Sequence, residues 1–250
     1  MLTAAQVTGS GVPLAALAAA GALVLVQVLV PRLCRRVSPR SARFQSIADG
    51  LAIAYVFVRL LPDLAQPASG ASRGSLGLLV DRPFLIALVG LLLYYAVLDW
   101  AQDRDAREEQ QRGGVPTPWP FWASGALYLV FNLFVGYLLV HQVRPGPAEL
   151  ALYTVALSAR YLTGEIALRD QDPRAYDRLG RWVLAAAVLV GWGLGATVDL
   201  GDEAVRVFSA LLAGSIVLTS LTQQLPGAGR AHFPLLGGAC VVFSALLVAI

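Results

Sequence analysis

Apolar residues in this chain run in long uninterrupted blocks rather than in alternation. A block of roughly 20 residues matches, as a helix, a hydrocarbon layer about 30 Å thick. Eight such blocks are present, at about 12–30, 46–64, 78–99, 121–141, 148–168, 181–200, 203–225 and 232–250. Continuous runs predict helices, because a transmembrane barrel would show alternation. Turn residues separate the blocks: Pro31 and Pro39, the stretches Gln66 to Gly77 and Gly113 to Pro120, Pro145-Gly146-Pro147, Asp172-Pro173, Gly201, and Pro226-Gly227. Blocks six and seven are joined by so little that a tight helical hairpin is expected. The predicted fold class is an all-α polytopic membrane protein, residues 1–250 forming one eight-helix transmembrane domain.

Composition agrees. Hydrophobic residues make up 57% of the 250-residue chain and charged residues 14%, against about 25% charged in ordinary soluble domains. That balance argues against a soluble enzyme, a nucleic-acid-binding domain and a disordered chain. All 19 basic residues are Arg, and they set the orientation. Thirteen flank the odd-numbered connections (Arg32, Arg35, Arg36, Arg40, Arg43, Arg104, Arg107, Arg112, Arg169, Arg174, Arg178, Arg181, Arg230) and four lie on the other side (Arg73, Arg82, Arg144, Arg206). The positive-inside rule puts the odd connections in the cytoplasm and both termini outside, in the cell (inner) membrane. The first eleven residues carry no basic side chain, so helix 1 lacks the charged start of a cleaved signal peptide. Trp100, Trp119, Trp122 and Trp182 then fall near the cytoplasmic interface. The charged stretch Asp103 to Arg112 reads as a solvated loop. Cys34 and Cys240 form no disulfide framework, His141 and His232 form no cluster, and no cofactor is expected.

Sliding the chain by 164 residues lays helix 2 on helix 7. Phe44 meets Phe208, Gly50 meets Gly214, Ile53 meets Val217, Leu61 meets Leu225 and Pro62 meets Pro226. The helices run in opposite directions, which predicts an inverted repeat of the kind secondary transporters use. A weaker overlay shifted by 28 residues pairs Asn132 with Arg160 and Gly136 with Gly164.

Ionisable side chains inside a membrane cost at least a few kcal/mol and mark functional positions by default. Arg59, Arg160 and Glu165 lie inside predicted spans, with Asn132 as an uncharged companion. Two readings stand for each of three of these. Arg59 is a gate residue, or it snorkels or pairs with Asp63 at i+4. Glu165 belongs to a central site, or it pairs with Arg169 at i+4. Asn132 lines a site, or it bonds a neighbouring helix. Arg160 has no acid at i±3 or i±4. At 1.5 Å per residue it and Asn132 both lie roughly 16 to 18 Å from their helix starts, so Asn132 is its expected partner, with backbone or hydroxyl acceptors. Thr154, Ser158 and Glu165 share one face of helix 5, while Arg160 and Thr163 face elsewhere. The substrate-site candidates are Asn132, Arg160, Thr163, Ser158 and Glu165. The gate or scaffold candidates are Arg59, Asp63 and Gln223.

These features together resemble the ZIP (Zrt/Irt-like) metal-transporter family. That family has eight helices with both termini outside, and a repeat relating helices 1–3 to helices 6–8 around helices 4 and 5. Its helix 2 often reads Gly-x8-His-Leu-Leu-Pro-Glu; here Gly50, Arg59, Leu60, Leu61, Pro62 and Asp63 stand at that spacing. Its helix 7 often ends in an acid before Leu-Pro; here the run is Gln223-Gln224-Leu225-Pro226. The family's helix 4 reads roughly His-Asn-x-x-acid-Gly, and here that register is Phe131-Asn132-Leu133-Phe134-Val135-Gly136. The corresponding helix 5 run is Ala159-Arg160-Tyr161-Leu162-Thr163-Gly164. The resemblance implies a ZIP-like fold in which Arg160 stands near the family's metal position. Asn132 alone cannot hold a divalent metal, which needs several ligands, so no metal site is assigned.

The expected function is a transporter relative whose metal ligands are largely replaced. The alternatives are a non-transporting structural or regulatory protein on the same fold, and a working zinc or iron transporter with an unrecognised site. An enzyme is not expected, since no Ser/His/Asp set and no paired intramembrane carboxylates occur. The expected partners are the lipid bilayer and a small ion or solute, not nucleic acid, with a homodimer as a further arrangement.

Overall fold

The computed structural model describes residues 12–36, 42–65, 82–111, 119–141, 147–224 and 233–249. These are almost entirely helical. The eight helices are α1 (Val12–Arg36), α2 (Ala42–Tyr55, a π-helical turn Val56–Leu60, then Leu61–Ala65), α3 (Pro83–Gln111) and α4 (Trp119–His141). They continue with α5 (Pro147–Gln171), α6 (Pro173–Ala175, a π-helical turn Tyr176–Gly180, then Arg181–Thr197), α7 (Gly201–Gln224) and α8 (Phe233–Ala249). Among the described residues three stretches are long and apolar enough to cross a membrane: Ala15–Leu33, Phe121–His141 and Pro173–Thr197. Pro83–Val97 and Phe233–Ala249 are shorter apolar helices.

Polarity is distributed inside out, as a bilayer requires. Gln27, Asp49, Asn132, Arg160, Thr163 and Glu165 are buried, while Leu25, Phe84, Leu92, Val241 and Val248 are exposed. In water such an outer surface would be costly, whereas lipid is as apolar as leucine. The core that remains is built from Leu23, Val56, Val135, Leu138, Leu157 and Ala213, among others.

Three helix limits and one packing arrangement depart clearly from the sequence expectation. Helix α1 continues through Pro31 to Arg36; Pro31 withholds only the N–H that would have met the Gln27 carbonyl. Helix α3 continues to Gln111, so Asp103 and the residues after it are helix, not loop. That stretch is rich in Glu, Gln, Arg and Ala, which favour helix wherever water can solvate them. Helix α6 begins at Pro173, eight residues before the expected start, because Asp172 caps it. Its Oδ1 accepts from the backbone N–H groups of Arg174 (3.0 Å) and Ala175 (2.9 Å), and Pro173 sits where a missing N–H costs nothing.

The fourth difference is the α6–α7 hairpin. Only Val198, Asp199 and Leu200 join the two helices, and Gly201 turns the chain at φ +80°. The Tyr137 hydroxyl holds this turn, accepting from the Leu200 N–H at 3.0 Å and donating to the Val198 carbonyl at 3.4 Å. Yet the helices diverge instead of packing together. Helix α6 lies against α4 and α1, and α7 lies against α3.

The remaining packing follows the small residues. Helix α2 packs on α8 and α5, and α1 on α5. A Cβ on Gly50 would stand 2.7 Å from the Leu236 carbonyl oxygen of α8, and one on Gly214 would overlap the Ala87 carbonyl of α3. Gly136 and Gly191 meet in the same way between α4 and α6. Such backbone contact is how helices associate where no hydrophobic drive acts between them.

Candidate functional site

Arg160 sits at mid-length of α5 and is 3% exposed. Its guanidinium carbon lies 5.8 Å from the Tyr128 ring centroid and 5.7 Å from that of Phe131, both on α4. Those are cation–π distances, and the contact strengthens where water is excluded. Gly164 leaves the space for it: a Cβ there would stand 2.5 Å from Arg160 Nη1 and 2.8 Å from Tyr128 Cε1. The hydroxyls of Tyr128 and Tyr94 reach the guanidinium, and the Asp49 carboxylate acts on it from α2. Nε has no hydrogen-bond partner among the described residues. A guanidinium stays charged at any physiological pH, so this is a fixed positive centre inside the bundle.

The partner expected from the sequence is engaged elsewhere. Asn132 is buried, but its Oδ1 accepts from Gln27 Nε2 of α1 at 2.6 Å, and its Nδ2 donates to the Tyr128 carbonyl at 2.6 Å. It therefore ties α4 to α1 and does not hold Arg160. Depth was the right measure for bringing these helices together, but rotation about α4 decides the bond. Gln27 Oε1 is left without a partner among the described residues. Thr163 is buried and its hydroxyl donates to the Arg160 carbonyl at 3.0 Å. Ser158 is half-buried on the far side of α5, as a two-residue step from Arg160 dictates.

Glu165 is also buried, and the hydrogen bond it accepts comes from α6 and not from Arg169. The Tyr176 hydroxyl, brought in by the π turn of α6, donates to Glu165 Oε2. Glu165 Oε1 and the Tyr161 hydroxyl have no partner among the described residues. Arg169 turns instead to Asp177 in a bidentate pair, Nε to Oδ1 at 2.7 Å and Nη2 to Oδ2 at 2.8 Å. Two parallel bonds to one carboxylate outcompete a single i+4 contact.

Arg59 lies on the π turn of α2, whose cause is Pro62. A regular helix would drive that ring into the Val58 carbonyl. The helix widens instead, and the Leu61 N–H bonds to the Val56 carbonyl, five residues back. Arg59 then reaches Glu149 of α5 at 2.7 Å and its own-helix neighbour Asp63 at 3.5 Å. The expected Asp63 contact is present, and the shorter one crosses to another helix. The Gln223 side chain lies outside the described ones. Among the described residues no three His, Cys, Asp or Glu side chains converge as a metal site would require.

Sequence reading missed Gln27, Asp49, Glu149 and the tyrosines. Asp49 and Gln27 were visible as polar intrusions in apolar runs, the same signal that singled out Arg160. The tyrosines had no such mark, because a hydroxyl on an aromatic ring suits a core, an interface or a site equally. Compared with protein-family models, curated proteins and solved structures, the chain matches none of them.

Proposed function

We propose that this chain is an integral membrane transporter relative with eight spanning helices in a ZIP-like arrangement, whose centre carries a fixed guanidinium in place of a divalent metal. The observation that carries the reading is Arg160, buried against Tyr128 and Phe131 with Nε unpartnered among the described residues. A fixed cation repels Zn²⁺ or Fe²⁺ and attracts an anion or an electron-rich neutral solute. The packing pattern supports the inverted repeat. Exchanging α1 with α6, α2 with α7, α3 with α8 and α4 with α5 turns the α2–α8 pair into α7–α3. The same exchange turns α1–α5 into α6–α4 and leaves α1–α6 and α2–α7 unchanged; all of these pairs are in contact. Gly50 and Gly214, equivalent in the sequence overlay, each stand at the matching crossing. The Arg distribution along the chain supports a cell-membrane protein with both termini outside.

Flux from proteoliposomes loaded with chloride, acetate or phosphate tests this reading. The expected result is efflux of at least one anion that falls to the protein-free rate in Arg160→Gln. A second reading, a non-transporting scaffold, is favoured by how closely Nη1 fills the space over Gly164. It predicts no flux in either protein.

A further inference from the structure

Helices α2 and α5 meet along an antiparallel seam, and its contacts form a ladder. At the Pro147 end of α5, Arg59 pairs with Glu149 at 2.7 Å, with Asp63 alongside. Four residues further along each helix, Tyr55 packs on Tyr153 with ring centroids 5.3 Å apart. In the next layer Ala156 is buried with Ala54 and with Phe243 of α8. Four residues beyond Ala156 on α5 lies Arg160, its guanidinium over the Tyr128 and Phe131 rings. Glu149, Tyr153, Ala156 and Arg160 follow the i, i+4, i+7, i+11 spacing of one helical stripe. The two helices carry opposite charge order, with the cation on α2 at one end and on α5 at the other.

The upper end of this ladder is built unlike a static contact. Arg59, Asp63 and Glu149 are 27%, 34% and 28% exposed, so water competes for the ion pair. The α2 side of the pair stands on the π turn Val56–Leu60, where the backbone ladder is already interrupted. π turns inside α-helices are frequent at functional sites. Below it along α5 come the tyrosine pair, then the layer of Ala54, Ala156 and Phe243, and then Arg160.

We propose that the α2–α5 seam is the gate to the Arg160 centre. The Arg59–Glu149 pair is its latch, the Tyr55–Tyr153 contact its plug, and the π turn its hinge. Opening breaks the ion pair, swings the last turns of α2 away from α5, and admits an anionic solute drawn by Arg160. The solute class rests on the functional reading above; the gate itself does not.

Accessibility of a single reporter tests it. Ala156→Cys is introduced with Cys34→Ser and Cys240→Ala in the full chain, reconstituted in liposomes. Labelling by a membrane-impermeant, negatively charged thiosulfonate is then timed. The closed seam predicts slow labelling. Adding Glu149→Gln, which keeps the shape and removes the charge, should raise the rate about tenfold, the shift that about 1.4 kcal/mol produces. Reversing the pair, Arg59→Glu with Glu149→Arg, should return the rate toward the slow value. If the charge reversal does not fold, Tyr153→Ala replaces it as the second arm and should raise labelling as Glu149→Gln does. Unchanged labelling in Glu149→Gln, or a lower melting temperature without faster labelling, overturns the gate and leaves the pair as a strut. Failure of the functional reading has a different signature: faster labelling in Glu149→Gln with no Arg160-dependent anion flux.

Discussion

Helix α5 buries a guanidinium and a carboxyl five residues apart, and the two face different helices. Arg160 faces α4 and α2, against aromatic rings, hydroxyls and the field of Asp49. Glu165 meets α6 and takes one hydrogen bond from Tyr176. Five residues advance a helix by about 7.5 Å and turn it by roughly 140°, so the pair that charge alone suggests is geometrically closed. One residue fewer would have made an i+4 ion pair and erased both features. Helical phase thus divides the interior into two polar regions. One has a fixed cation and spare donor capacity. The other has a carboxyl whose i+4 cation, Arg169, is bound bidentately to Asp177.

The largest expected effect comes from removing the cation. Arg160→Ala leaves Asp49, Tyr94 and Tyr128 facing lost volume and lost charge, and should cost about 3 kcal/mol or more in detergent melts. Arg160→Leu refills part of the space and should cost less. Equal losses in the two variants would mean that charge, not volume, holds the region together.

Helix crossings come next. Gly214→Ala puts a methyl group into the Ala87 carbonyl and must push α7 off α3, costing about 1 to 3 kcal/mol. Gly21→Ala, where nothing lies within 4 Å of the added carbon, is the control and should melt like the parent or slightly higher. If both variants melt like the parent, the close α3–α7 approach is not a required contact.

The smallest single effect, that of Glu165→Gln, belongs to the acidic region. Tyr176→Phe removes the donor to Glu165 Oε2 and should cost about 1 to 3 kcal/mol as a single change. In Glu165→Gln the hydroxyl keeps an amide oxygen to bond, so the loss should stay near 1 kcal/mol. The double variant measures their coupling. Strict additivity would show that the two side chains do not act as a pair.

Sequence legibility follows the same division. The helices were readable because block length and polarity are set by the surroundings of the whole segment. Arg160 was readable because a cation in an apolar run must be explained. Its neighbours were not, because Asn132 and Tyr128 sit on α4 at rotations that depth arithmetic does not contain. The start of α6 was missed for a local reason. Asp172-Pro173 serves both a turn and an N-cap, and the apolar block signal begins only beyond Gly180. Pairing with Arg169 was one of two readings for Glu165, offered by spacing alone, and the bidentate geometry of Arg169 with Asp177 shows that spacing proposes contacts without ranking them.

Ligand-induced thermal shift on the purified full chain tests the central claim most directly, with zinc and with small anions titrated into wild type and Arg160→Gln. A fixed guanidinium at the centre predicts that at least one of chloride, acetate and phosphate raises the melting temperature of the wild type but not of Arg160→Gln, and that zinc stabilises neither protein stoichiometrically. Saturable one-to-one stabilisation of the wild type by submicromolar zinc, retained in Arg160→Gln, would contradict it.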